Sequence, residues 1–298
     1  MTEAENPEMI RKIAQAAYHS LILEVCTTPK PGLVDRRNNG AHRDMDLALF
    51  RRSAASLRPY FLACVKAGYA LDVPVTALLP ERLRPLGLAA EQEMFRVTGG
   101  VNTHKGAIFS LGIFCCAAGI LLRYPKDPDF SLILPSICSV LTEDFLHVEP
   151  TAPATHGERL YLQYGITGIR GEAIHGFPSV FRVALPAYRN YRSEGLPRMD
   201  AGACTLLHLI CVVEDTNLIF RSDYSTYLSI RQKTADFLRN ASAADILSVL
   251  PEMDSVFIRK NLSPGGSADL LSLVYFLDLL SDFIGISFIP DFGNFNSL

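Results

Sequence analysis

The chain has 298 residues, of which 49% are hydrophobic and 20% charged, and its net charge is −3. That balance supports a substantial core and excludes a disordered protein. It also excludes sequence-independent nucleic-acid binding, which needs a dense Lys/Arg footprint. The seven cysteines, Cys26, Cys64, Cys115, Cys116, Cys138, Cys204 and Cys211, form no C-x-x-C pair. Zinc and redox motifs are therefore not indicated, and buried, reduced thiols are expected. The N-terminal MTEAENPEMIRK has no secretory apolar region, so a cytoplasmic location is expected.

Helical periodicity dominates the chain, with no sustained period-2 alternation and no Asn-Gly hairpin between β-branched runs. Residues 7–27 predict a first helix, with Ile10, Ile13, Ala14, Ala17, Leu21 and Val25 on its apolar stripe. The prolines of TTPKPG stop it. A second helix runs from about 46 to 71, with Asp46 as N-cap and Pro59 as a kink. Further helices are predicted near 84–97, 104–123, 131–147, 171–192, 199–218, 224–239, 243–260 and 264–285. The run from Gly106 to Leu122 has no charge. It is shorter than the roughly 20 apolar residues of a spanning helix and predicts a core helix instead. No linker or internal repeat divides the chain. The expectation is an all-α protein of about ten helices, forming a single catalytic domain over 1–298.

Polar islands interrupt these apolar helices, and loops on rigid scaffolds are where chemistry is usually placed. PKPGLVDRRNNGAHRDMD, residues 29–46, carries Lys30, Asp35, Asn38, His42, Asp44 and Asp46. Acids, amides and a His in one loop suit magnesium and phosphate contact, and equally a solvated connection ending in a cap. GGVNTHKG, residues 99–106, has Asn102 or Thr103 as helix cap, then His104 and Lys105 in the first turn. A lysine there opposes the helix dipole, a conflict that a bound phosphate would remove.

GITGIRGEAIHGFP, residues 165–178, sets Arg170 and Glu172 among glycines, as an ion pair or as a phosphate clamp and general base. His175 reads as structural. In VEDTNLIFR, residues 213–221, Glu214, Asp215, Thr216 and Asn217 precede Arg221; acids ending a helix oppose its dipole and suggest a nearby cation. NLSPGGSADLL, residues 261–271, predicts Ser263 as N-cap with Pro264 at the first helical position. Gly265, Gly266 and Ser267 then offer bare amides to an anion, and Asp269 follows within a turn. This is not the G-x-x-x-x-G-K-[ST] phosphate loop.

These islands, in this order, closely resemble the triphosphoribosyl-dephospho-coenzyme A synthase family, which serves citrate lyase and, in a sister branch, malonate decarboxylase. The matching strings are TPKPGLVD, NGAHRDM, GVNTHKGAIFSLG, GIRGEAIHGFP, EDTN and NLSPGGSADLL, spanning residues 28–271. Ser222 and Asp223 stand where glycines are expected. The resemblance implies that ATP gives up adenine while its ribose C1′ is attacked by the 2′-hydroxyl of 3′-dephospho-CoA. The triphosphate is kept, and a later enzyme passes the product to an acyl carrier protein. A β donor and an α product imply one inversion, with Glu172 first and Asp35 second as general base.

From residue type and loop position, His104 or Asn102 is expected to hydrogen-bond the departing adenine. Lys30, Lys105, Arg170, Arg221, Asn38, His42 and the Ser263–Ser267 segment are the candidates for contact with phosphates and substrate. Asp44, Asp46, Asp215 and Asp269 are the candidates for magnesium. A homodimer through apolar helices is compatible with the sequence. Two other classes stay open on the residues alone: a magnesium-dependent helical ADP-ribosyl or nucleoside hydrolase, and a non-catalytic nucleotide-binding regulator. Adenine release without an acceptor marks the former, and ligand-induced stabilisation without turnover the latter.

Overall fold

A computed structural model describes residues 6–125, 130–146 and 156–284. Helix α1 (Pro7–Cys26) starts where Asn6 Oδ1 accepts the Met9 amide at 3.2 Å, and it buries the predicted stripe. Asp46 caps α2 (Leu47–Ser56), accepting Leu49 N at 2.7 Å. Leu57, just before Arg58-Pro59, separates α2 from α3 (Arg58–Ala70), so the expected kink is a break between two helices. A 3₁₀ turn (Val75–Ala77) and a π-helical segment (Leu79–Leu83) lead into α4 (Arg84–Thr98). Then come α5 (Lys105–Arg123), α6 (Phe130–Cys138), α7 (Leu141–Leu146), α8 (His156–Tyr164) and α9 (Gly168–Ile174).

A second π-helical segment (Ser179–Ala184) opens α10 (Leu185–Ser193). The remainder comprises α11 (Arg198–Val212), α12 (Thr216–Arg221), α13 (Tyr224–Leu238), α14 (Ala243–Arg259) and α15 (Gly265–Ile284). The all-α expectation holds, and no strand occurs among the described residues. There are more helices than expected because polar turns cut the apolar runs. Gly176 and Phe177, both at positive φ, split 171–192, and Glu214–Asp215 ends what was predicted as one helix over 199–218. Helix α8 was not anticipated. The expected ends at 147 and 285 fall outside the described residues.

One continuous apolar core joins α1, α3, α5, α11 and α15. Helix α5 is the membrane-length run, and 78% of its apolar window is buried inside the protein, as expected of a core helix. It packs against α3 closely enough that a Cβ on Gly68 would lie 1.9 Å from Cys116 O, and one on Gly119 2.2 Å from Val65 O. Helix α15 bridges the two halves, packing on α1 and α5 on one side and on α11 and α12 on the other. The first turns of α5 and α15 therefore meet beside the last turns of α1.

Because neither backbone has room to yield, Gly68→Ala or Gly119→Ala is expected to cost about 1–3 kcal/mol through overpacking. Urea unfolding of each variant should show a lower midpoint at unchanged slope.

Candidate functional site

The loop after α1 is held from within. Asp35 Oδ1 accepts the amides of Arg37 (2.6 Å) and Asn38 (3.2 Å), and Oδ2 accepts Lys30 N (3.1 Å). From α14, Asp254 accepts Gly32 N (2.9 Å) and Asn38 Nδ2 (2.8 Å). Gly32, at φ 70°, passes so close to Leu262 O that a Cβ would sit 2.1 Å from it. Asp35 and Asn38 are thus spent on the loop itself, which turns Lys30, Leu33, Val34, His42 and Met45 toward a cleft of about 350 Å³.

That cleft sits where the first turns of α5 and α15 meet the end of α1. From α1 come Leu21 and Glu24; from the α4–α5 turn, Asn102, Thr103, His104, Lys105 and Gly106; from α12, Asn217, Phe220 and Arg221; and from the start of α15, Ser263, Gly265, Ala268, Asp269 and Ser272. Four of the polar islands meet here. A hollow of comparable size beside α1 and α3, lined by Arg11, Lys66 and Tyr69, draws on none of them.

Electrostatics on the α1 side are set by a buried ion pair. Lys30, 1% exposed, bonds Glu24 through its ammonium, and burial pushes the Glu24 carboxyl up despite that partner. Asp269 faces the same space, with Oδ2 only 2.0 Å from where a Gly106 Cβ would be. Burial, then the Glu24 and Asp215 charges, hold the Asp269 carboxyl well above the usual carboxylate range; the Ala107 amide pulls the other way.

On the opposite wall Arg221 donates to Ala41 O (2.9 Å), Asn261 Oδ1 (2.8 Å) and His42 Nδ1 (3.0 Å). A guanidinium only donates, so His42 carries its proton on Nε2, and this N–H donates a hydrogen bond to Ser263 Oγ at 2.9 Å. Burial and the Arg221 charge lower the His42 pKa to about 4, keeping it neutral near pH 7.

His104 is fixed on three sides: its amide meets Met94 Sδ (3.2 Å), Nδ1 meets Ser53 Oγ (2.8 Å), and its ring stands edge-on to Phe50 with centroids 5.0 Å apart. Burial, then the Lys30 charge, lower its pKa to about 3. Its Nε2 is the buried side-chain polar atom without a partner among the described residues. Asn102 Oδ1 accepts Lys105 N (3.2 Å), but the residue at the N-cap is His104, in place of the expected Asn102 or Thr103. The Lys105 ammonium, 3.0 Å from Glu91, has its dipole conflict offset within the protein.

Beneath the cleft lies a capping hub. Asp215, 2% exposed, accepts Leu218 N (3.1 Å) through Oδ1, and Ser267 N (2.8 Å) and Ser267 Oγ (3.0 Å) through Oδ2. Beside it, Glu214 Oε2 accepts Thr167 N (2.6 Å), Thr167 Oγ1 (2.9 Å) and Gly168 N (3.0 Å). The acids expected to offset a helix end with a cation instead cap other helices. Gly265 and Gly266 permit the approach: a Cβ would lie 2.8 Å from Asn217 Nδ2 and 3.2 Å from the Asp215 carboxyl carbon, respectively.

Several expectations are corrected by this geometry. The Ser267 amide is taken by Asp215 rather than left bare, and Ser263, predicted as a cap, bonds His42. Glu172 accepts Ser179 N at 3.2 Å and the Ser179 hydroxyl, closing the Gly176–Phe177 turn; no residue of 165–178 lines the cleft, Arg170 included. Asp44 and Asp46 are exposed, and of the four aspartates expected to hold magnesium only Asp269 reaches the cleft. No group of three metal-ligating side chains occurs among the described residues. Asp223, where a glycine was expected, caps α13 through Thr226 N at 2.8 Å.

Sequence reasoning missed Glu24 and Ser53. The signal for Glu24 was present: it falls three residues after Leu21 on the apolar stripe of α1, where a carboxylate is anomalous.

Fold and cleft together define an all-helical protein with a polar cleft of small-molecule size where the starts of α5 and α15 meet. A profile of the family described as CitG, ATP:dephospho-CoA triphosphoribosyl transferase, matches residues 10–287. A probable 2-(5''-triphosphoribosyl)-3'-dephosphocoenzyme-A synthase of Vibrio cholerae is 42% identical over 273 residues, 90% of this chain and 87% of the relative. The synthase of Pectobacterium atrosepticum is 43% identical over 270 residues, 89% and 88% of the two chains. A probable synthase of Lactiplantibacillus plantarum is 41% identical over 279 residues, covering 91% and 98%. No solved structure matches. The chain belongs to the ATP:dephospho-CoA triphosphoribosyl transferase family, and its activity is the family's transfer from ATP to dephospho-CoA.

Asp215→Ala removes the acceptor for two helix starts and strands buried amides. It is expected to cost about 2–4 kcal/mol, from two caps of roughly 1 kcal/mol each plus desolvated donors. Asp215→Asn, which keeps one acceptor oxygen, should recover part of that loss; thermal melts of both variants check the order.

Proposed function

We propose that the cleft makes 2′-(5″-triphosphoribosyl)-3′-dephospho-CoA by one inverting displacement at C1′ of ATP. The supporting observation is the meeting, in one cleft, of cations (Lys30, Lys105, Arg221), a buried neutral imidazole (His104) and two carboxylates (Glu24, Asp269). The acceptor's 2′-oxygen attacks C1′ as its proton passes to a carboxylate. The C1′–N9 bond breaks, its electron pair leaves with adenine, and adenine takes a proton from solvent, to which the carboxylate returns the one it accepted. Charge that grows on C1′ resembles the oxocarbenium character of glycoside cleavage, which the carboxylates stabilise.

Asp269 replaces Glu172 and Asp35 as the base in this reading, because it alone of the three lines the cleft. His104 donates to a ring nitrogen of the leaving adenine. Arg221 and the Ser263–Gly265 turn face the triphosphate. Magnesium enters with ATP: such ions are commonly held by one or two carboxylates and substrate phosphates, which suits a cleft without a dedicated cage. The product supplies a prosthetic-group transferase and an acyl carrier protein of the citrate lyase or malonate decarboxylase type. Cytoplasmic placement and a single catalytic domain over 1–298 belong to the same reading, the latter supported by the continuous core.

Chromatography of purified protein with ATP, magnesium and 3′-dephospho-CoA, each omitted in turn, tests it. Stoichiometric adenine and a heavier CoA product are expected only with ATP and acceptor both present. Adenine without acceptor supports the hydrolase, and ligand binding without adenine the regulator.

Asp269→Asn is expected to lower kcat by about 10²–10⁴, the range of general-base contributions, with ATP still bound. A base acts deprotonated, so wild-type activity is present above the Asp269 pKa and lost as pH falls through it. Since that pKa is raised, the acidic limb of kcat/KM should lie above the ordinary aspartate range and disappear in the variant.

A further inference from the structure

Ser53 lies on α2, fully buried and outside every polar island, yet its hydroxyl is placed between two residues of the Asn102–Gly106 turn. Thr103 Oγ1 donates to Ser53 Oγ at 2.7 Å, and Ser53 Oγ is 2.8 Å from His104 Nδ1. A serine hydroxyl has one proton. With its oxygen accepting from Thr103, that proton is directed to Nδ1, which accepts it. The imidazole proton is then on Nε2, since the partner of one ring nitrogen decides the state of the other. Nε2 is the atom buried without a protein partner, on a ring that is 3% exposed and lines the cleft. A buried donor left unpaired inside a ligand cleft is explained by a ligand acceptor.

We propose that Ser53, fed by Thr103, is a positioning residue that fixes His104 as the Nε2–H tautomer and aims that donor at a ring nitrogen of the departing adenine. The inference rests on the reading of His104 as leaving-group donor and extends it to a residue that touches no substrate. The opposite tautomer would present a lone pair to the lone pair of adenine and repel it. Neutrality matters equally: the imidazole stays a donor without adding a second positive charge beside Lys30, the charge that, after burial, keeps it unprotonated.

The test joins a spectrum to kinetics. In ¹⁵N-histidine-labelled wild-type protein, with the signal assigned by its loss in His104→Gln, Nδ1 should resonate as an unprotonated nitrogen and Nε2 as a protonated one. Ser53→Ala should mix the tautomers and lower single-turnover adenine release about tenfold or more, with the KM for ATP within about twofold. Ser53→Thr, which keeps the hydroxyl, should stay within about threefold of wild type. With 7-methyl-ATP, whose cationic base departs without a donor, the Ser53→Ala defect should shrink to about twofold or less.

A wild-type proton on Nδ1 overturns the relay whatever the kinetics, and this measurement does not depend on any Ser53 variant folding. An equal Ser53→Ala defect with both nucleotides assigns Ser53 a merely structural role and overturns the proposal. The expected spectrum with undiminished adenine release in both Ser53→Ala and His104→Gln leaves the tautomer in place but removes His104 from the chemistry. That outcome overturns the leaving-group reading, and the proposal with it.

Discussion

The two oxygens of the Asp215 carboxylate each hold the first turn of a different helix, α12 through Leu218 N and α15 through Ser267 N. Helix starts carry orphan amides and partial positive charge, so a buried anion between two of them is compensated from both sides. The arrangement is also geometric. It brings Asn217 against Gly265, sets Arg221 one turn along α12, and leaves Ser263 and Asp269 facing one space. Glu214, one residue earlier, ties α9 to the same point. The cleft is therefore a consequence of how two adjacent acids satisfy helix ends from distant parts of the chain.

Beside that frame the α1 side of the cleft holds buried charge. The Glu24–Lys30 pair is nearly fully buried, and such pairs add little to stability because desolvation offsets their attraction. In the proposed reading their presence beside the cleft serves preorganisation. Fixed charges and dipoles in a low-dielectric site act on a developing transition state without having to reorient. Asp269 shares this environment, and the same burial that raises its pKa makes it a stronger base than a surface aspartate.

Two relays of similar design reach the cleft. Arg221, His42 and Ser263 form one; Thr103, Ser53 and His104 form the other. In each the histidine is neutral and its tautomer is set by a partner on the far nitrogen. In the proposed reading, neutral donors suit a cleft already lined by lysine and arginine, where further positive charge would weaken the grip of each cation on its own partner.

The fold class and most helix positions were legible because apolar spacing is a local property: the stripe of α1, the Asp46 cap and the all-round apolar α5 read directly from the chain. The islands were legible too, since glycines, acids and histidines interrupt apolar runs, and together they carried the family. What each island does was not. Glu172 and Asp35 have the right chemistry for a base, but hydrogen-bonding to Ser179 and to the Lys30–Asn38 loop turns them away from the cleft. The glycines of PGGSAD invited an anion from solution, and the anion came from Asp215, 52 positions earlier than the Ser267 amide it binds. Glu24 and Ser53 sat unnoticed within helices, because a residue on a helical stripe acquires its neighbours only when other helices pack on it. Spacing along one chain determines which residues form a helix and which face is apolar; which polar groups share a cleft is decided by the crossing of α1, α5, α12 and α15, a contact between segments that no local pattern encodes.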